Sequence, residues 1–169
     1  MKTTSFLLIS AILAISFLAY TNANPTMKEH MYPTKDSEKH IVHFKTINDF
    51  KKAMNPKKGK PTDHLMVFGA GWCPHCREFA KLFAPFITKL MQDKEYQEFR
   101  KERKIKFGFV DCAGKESSKL CDHNKVTEYP TIKLFKGKNG KAIPYDGNID
   151  NKKKVRRELL SFLLSEETA

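Results

Sequence analysis

Apolar and polar positions fall in short blocks along the chain, and the period changes from block to block. Ile41-Val42-His43-Phe44 is a brief apolar run that predicts a strand. Behind Thr46, a residue suited to cap a helix, Ile47, Phe50 and Met54 recur on one helical face. Asn55-Pro56-Lys57-Lys58-Gly59-Lys60-Pro61 is a loop. Leu65-Met66-Val67-Phe68-Gly69-Ala70 is continuously apolar, the pattern of a strand buried on both faces. A long helix starting near Cys73 follows, with Phe79, Leu82, Phe83, Phe86, Ile87 and Leu90 as its stripe. Ile105 to Val110 predicts another strand, Lys115 to His123 a short helix, and the alternation Thr131-Ile132-Lys133-Leu134-Phe135 a further strand. Asn139-Gly140 signals a hairpin turn, and Ala142-Ile143-Pro144-Tyr145 returns from it. A last helix from about Asn151 to Leu164 carries Val155, Leu159, Leu160, Leu163 and Leu164 on one side. The order β-α-β-α-β-α-β-β-α predicts one α/β domain, a central mixed sheet covered by helices, with no internal repeat.

The N-terminal segment has a different pattern. Lys2 precedes an apolar run from Phe6 to Leu18, and Thr21-Asn22-Ala23 offers small residues at the positions a signal peptidase reads. This predicts a secretory signal peptide over 1–23. The alternative is an uncleaved membrane anchor, but the run is shorter than the roughly 20 apolar residues a span needs and serines interrupt it. Residues 24–40 are polar, mixed in charge and hold Pro25 and Pro33, so they predict a disordered lead-in. The folded domain is then expected over 41–165, with a short tail at 166–169. That tail ends Ser165-Glu166-Glu167-Thr168-Ala169 and is not a Lys-Asp-Glu-Leu-type retention signal, so secretion or retention by a partner in the endoplasmic reticulum is expected.

Composition narrows the class. In 169 residues, 40% are hydrophobic and 30% charged, with 8 Gly and 8 Pro, which excludes collagen-like, low-complexity and polytopic membrane chains. The net charge is +12. Lys152-Lys153-Lys154 with Arg156-Arg157, and Arg100-Lys101 through Lys104, cluster in helical segments, but no aromatic residues interleave as in a nucleic-acid platform. They read as a solvated face. His30, His40, His43 and His64 are scattered and read as surface residues. No glycosylation acceptor occurs, since Asn24 is followed by Pro25.

Chemistry concentrates in Trp72-Cys73-Pro74-His75-Cys76. Cys73 falls where a buried strand turns into a helix, and unpaired N–H groups with the helix dipole favour a negative charge there. That lowers a thiol pKa, and the thiolate is the nucleophile. Cys76 lies one turn further in. Pro74 begins a helix without losing a hydrogen bond, and His75 adds a cation beside the thiolate. Stabilising the thiolate stabilises the reduced form, so the disulfide becomes a better oxidant; one pKa unit is about 1.36 kcal/mol, or about 30 mV for two electrons. Two other readings are an inert structural disulfide and half of a zinc site, with Cys112, Cys121, His75 and His123 as further ligands. Cys112 and Cys121 do not have the spacing of a zinc knuckle, so a metal is not expected.

These residues resemble a thioredoxin-fold domain of the protein disulfide isomerase family. The strand running into Trp72-Cys73-Pro74-His75-Cys76, then Val110-Asp111-Cys112, Leu120-Cys121, Val126-Thr127-Glu128-Tyr129-Pro130-Thr131 and Tyr145-Asp146-Gly147, follow that family's order over roughly residues 41–165. The resemblance implies that Cys73 attacks, that Cys76 resolves, and that Pro130 is a cis-proline exposing the Tyr129 backbone to an extended substrate. Cys112 and Cys121 are similar to the second, structural disulfide of some members; two buried thiols are the alternative. Four cysteines allow three pairings, and this one leaves the reactive pair free.

Three positions depart from the family pattern. The buried acid five residues before the tryptophan is Val67, and the lysine that pairs with it is Phe109. The regulatory arginine four residues after the Tyr-x-Gly tyrosine is Ile149, and the helix proline expected at Lys81 appears as Pro85. With the charged relay missing, release of mixed disulfides is expected to be slow. Two functions follow. The first is a thiol–disulfide oxidoreductase and isomerase for cysteine-containing polypeptides, a monomer needing no cofactor and exchanging electrons with glutathione or a thiol oxidase. The second is a redox-weak peptide-binding chaperone or secreted interaction domain.

Overall fold

The computed structural model describes residues 39–56, 62–102, 104–137, 141–151 and 153–165. The expected signal peptide, most of the lead-in, the Asn139-Gly140 turn and the tail lie outside these residues. The elements run β1 (Ile41–His43), α1 (Ile47–Met54), β2 (Asp63–Gly69), α2 (Pro74–Gln92), a 3-10 turn (Lys94–Tyr96), α3 (Gln97–Glu102), β3 (Ile105–Asp111), α4 (Ser117–His123), β4 (Thr131–Phe135), β5 (Ala142–Pro144) and α5 (Val155–Ser165).

The sheet has five strands in the order β1-β3-β2-β4-β5. β1 and β2 pair with β3 in parallel, while β4 pairs antiparallel with both β2 and β5. This is the α/β mixed sheet of the thioredoxin fold, flanked by helices. β2 lies in the middle, and that position explains its unbroken apolar run. Its alternate side chains feed opposite faces. Leu65 and Val67 enter a core with Phe79, Phe83, Ile87 and Leu90 of α2 and Leu159 and Leu163 of α5. Met66 and Phe68 enter a second core with Phe50 and Met54 of α1 and Leu120 of α4. Gly108 of β3 faces that second core, where a Cβ would stand 2.2 Å from the Met66 sulfur and 2.9 Å from the Phe44 ring. Only glycine leaves room for both.

Local chemistry sets the helix ends. Asp49 donates its N–H to the Thr46 hydroxyl at 3.1 Å, and that hydroxyl donates to the Asp49 carboxylate at 2.8 Å, fixing the start of α1. α5 begins at Val155 rather than near Asn151. Asn151 instead caps a turn, its side-chain oxygen accepting from Lys153 and its carbonyl from Lys154 and Val155. Val155, Leu159 and Leu163 face the sheet, whereas Leu164, expected on that side, is exposed because it lies about 100° round the helix from Leu163. Pro85 sits inside α2 without the amide that would bond the Lys81 carbonyl.

His64 is the clearest correction. It is 2% exposed, not a surface residue, because β2 starts at Asp63 and carries it into the sheet interior. Its Nδ1–H donates to the Thr62 carbonyl at 2.9 Å, and its ring meets Phe44 edge to face. Burial lowers its pKa, so it is held neutral. Among the described residues, no helix is long and apolar enough to cross a membrane.

Candidate active site

β2 delivers the chain to Ala70, and a Gly71-Trp72 turn brings Cys73 to the first position before α2. Cys73 takes the extended backbone of a helix cap, and its N–H bonds the Ala70 carbonyl at 3.0 Å. Its sulfur stands where a serine or aspartate oxygen usually caps a helix, accepting the Cys76 N–H at 3.2 Å. Pro74, first in the helix, has no amide to leave unpaired. The sequence therefore places a sulfur at the one spot where helix geometry aims a free backbone donor at it.

Both cysteines are buried free thiols. The Cys73 thiol faces the Tyr129 carbonyl at 3.7 Å, and Tyr129-Pro130 is a cis peptide. Residues 56 positions apart in the chain thus meet across one sulfur. Cys76 is 0% exposed, and its thiol is pushed up to about 12, first by burial and then by its contact with the Cys73 sulfur. At neutral pH it keeps its proton. Trp72 is 56% exposed and stands edge to face against Tyr129 at 5.9 Å. His75 points outward; its Nδ1 lies 3.7 Å from the Asp150 carboxylate, with both side chains about three-quarters exposed.

Val67 and Phe109 are paired in register across β2 and β3, and both lie in the same apolar cluster as Cys76. Where the family pattern has two charges, this chain has two packed apolar side chains. Neither is left as an unpaired ion. Cys112 and Cys121 are joined by a disulfide with Cα atoms 5.9 Å apart, on the other face of the sheet. They are therefore not available as ligands beside Cys73. Among the described residues, no three of His, Cys, Asp and Glu converge as a metal site.

Beside Pro130 lies a groove of about 410 Å³, walled by Tyr129, Pro130, Tyr145 and Ile149. Ile149 fills this wall at the position where the family pattern has an arginine. Glu128, Asp146 and Asp150 were not read as site residues from the sequence. The Tyr145-Asp146-Gly147 motif pointed to the second of them, whereas nothing local marks Asp150 as the neighbour of His75.

The family model described as Thioredoxin matches residues 41–160. The chain is 36% identical to a protein disulfide-isomerase of Humicola insolens over 83 residues, 49% of this chain and 14% of that protein. It is 31% identical to a protein disulfide-isomerase of Arthroderma benhamiae over 117 residues, 68% of this chain and 18% of that one. It therefore spans less than a fifth of either relative. The first thioredoxin domain of mouse protein disulfide-isomerase A4 superimposes with a TM-score of 0.53 at 23% identity, covering 78% of this chain and 76% of that domain. On the matched residues, the cysteine-capped helix and the five-stranded sheet, the chain belongs to the thioredoxin family.

Proposed function

We propose that this protein is a thiol–disulfide oxidoreductase and isomerase acting on cysteine-bearing polypeptides of the secretory pathway, with Cys73 the attacking and Cys76 the resolving sulfur. The observation that carries this reading is the Cys73 sulfur at the mouth of α2, accepting the Cys76 amide and facing the Tyr129 carbonyl. The disulfide-isomerase relatives support the same chemistry.

In the oxidised state a substrate thiolate attacks the Cys73 sulfur. A substrate–Cys73 disulfide forms, and Cys76 leaves as a thiolate that takes up a proton. A second substrate thiolate then attacks the substrate sulfur of that bond and releases Cys73. The substrate loses two electrons and two protons; the pair gains them and returns them to glutathione disulfide or a thiol oxidase. In the reduced state Cys73 attacks a wrong substrate disulfide, and reshuffling has no net redox change. Asn24 is the expected first residue of the mature chain.

The second reading, a redox-weak peptide-binding module, is favoured by Val67 and Phe109. They put apolar side chains, where the family pattern has charges, in the cluster of a Cys76 thiol held well above its ordinary pKa. One experiment separates the two. Equilibration with glutathione redox buffers, trapping by alkylation and reading by mass, gives a defined Cys73–Cys76 equilibrium constant if the pair is active. Cys73→Ala then abolishes exchange while peptide binding persists. A wild-type protein inert to glutathione selects the binding module.

A further inference from the structure

The chain is strongly basic overall, with 31 Lys and Arg against 19 Asp and Glu. Its groove beside Pro130 inverts that balance. The charged residues lining it are Glu128 and Asp146, both exposed acids, and no base lines it. Among the described residues, neither carboxylate meets a cation. Two more acids bear on Tyr129: its pKa is raised first by burial, then by Asp122, Cys76, Asp111 and Cys73. A further carboxylate, Asp150, lies beside His75. Acids thus line the groove beside Pro130 and bear on Tyr129 and His75, the residues next to Cys73.

Such a field opposes negative charge on an incoming substrate. A Lys or Arg beside the substrate cysteine relieves it, drawing the peptide into the groove and offsetting the repulsion of its thiolate. We propose that Glu128 and Asp146 are specificity-determining residues that select extended polypeptide segments with Lys or Arg flanking the reacting cysteine. This rests on the exchange reaction above and names its substrate class.

The test uses the oxidised full-length protein and two otherwise identical dithiol peptides, one with Lys and one with Glu flanking the cysteines. Each oxidation rate is divided by the same peptide's rate with bis(2-hydroxyethyl) disulfide, an uncharged reagent that removes intrinsic thiol reactivity. The normalised Lys-to-Glu ratio is expected to be about fivefold at low ionic strength and to fall toward one near ~0.5 M salt, where screening acts over a few ångströms. The double variant Glu128→Gln, Asp146→Asn is expected to lower the ratio at low salt. A wild-type ratio of one or less, or a ratio unchanged in a folded double variant, overturns the inference. The salt series needs no variant, so the inference stays testable if the double variant fails to fold. Oxidation of neither peptide, with no exchange in glutathione, overturns the catalytic reading itself; equal oxidation of both overturns only the selectivity.

Discussion

The two cysteine pairs of this protein sit beyond the ends of neighbouring strands, on opposite faces of one sheet. Cys73 and Cys76 follow β2 and pack with α2, whereas Cys112 follows β3 and is bonded to Cys121 of α4. All four are buried, so burial does not distinguish a reactive pair from a structural one. The backbone does. Cys73 caps a 19-residue helix, and its sulfur receives an amide. Cys112 instead donates its own N–H to the Gly69 carbonyl at 2.7 Å, and the Cys121 carbonyl closes the turn after α4 by accepting from Val126. One pair has a helix amide aimed at its first sulfur and lies next in sequence to an exposed tryptophan. The other staples a strand end to a short helix.

The largest test of this contrast removes each pair in turn. Cys73→Ser is expected to lower peptide oxidation by at least about a thousandfold, since the attacked sulfur is gone, with little change in folding. Cys112→Ala with Cys121→Ala should do the reverse. Exchange is kept within about threefold, while urea unfolding loses about 2–3 kcal/mol, the loop-closure value for a bridge of separation 9. Exchange collapsing in the second variant would show that the staple also positions the site.

Val67→Glu sharpens the comparison within the reactive pair. Placing an acid in the cluster that holds Cys76 gives its proton somewhere to go, so release from a trapped mixed disulfide is expected to accelerate about tenfold or more. An uncompensated buried charge also costs about 3 kcal/mol or more. Because Val67 and Phe109 are register partners, Phe109→Lys added to Val67→Glu should recover part of that loss. A folded Val67→Glu protein that releases no faster would remove the missing relay as the cause of slow turnover.

The Cys76 thiol gives a pH-dependent test. Its pKa rises from 9.0 in the open chain to about 12 in the folded one, so the folded state favours the protonated form. The stabilisation is fully present below about pH 9 and is lost as pH rises from there toward 12, at about 1.4 kcal/mol per pH unit. Reduced wild-type protein should therefore lose stability faster than Cys76→Ala above pH 9 in urea titrations. At pH 8, iodoacetamide should modify Cys73 well before Cys76, read by peptide mass. Equal labelling of the two would contradict the raised pKa that keeps the Cys76 proton in place.

Much of this was legible in the sequence because the local signals agreed with the tertiary ones. The β4 strand is where the alternation of Thr131 to Phe135 puts it, and Thr46 caps α1. Failures came where tertiary contact overrode a local pattern. His64 looks polar in a sequence, but central strand position decides its burial. The turn and helix over 94–102, read as helical only at the Arg100-Lys101 charges, have no continuous apolar stripe. Asp93 caps the turn, and the Arg100 guanidinium ties the segment to the Leu90 and Asp93 carbonyls at 2.8 and 2.7 Å. At the site, the cysteines were readable from spacing alone. The acids were not, because Glu128, Asp146 and Asp150 come from loops that only the sheet order brings together.

The smallest expected effect belongs to Asp150. Its carboxylate lies 3.7 Å from Nδ1 of His75, two residues from Cys73 of the reactive pair, and pairs with that ring whenever the ring is protonated. Where the imidazole carries its proton, Asp150→Asn leaves that charge unpaired, favours the reduced form and makes the disulfide the stronger oxidant. Both side chains are about three-quarters exposed, so water and salt screen the contact and the glutathione equilibrium constant should move by about twofold or less. The change should vanish in a His75→Ala background, where no imidazole remains to be released. A shift of the same size in that background would mean that Asp150 acts on the sulfur directly through its charge, and the link through His75 would fall.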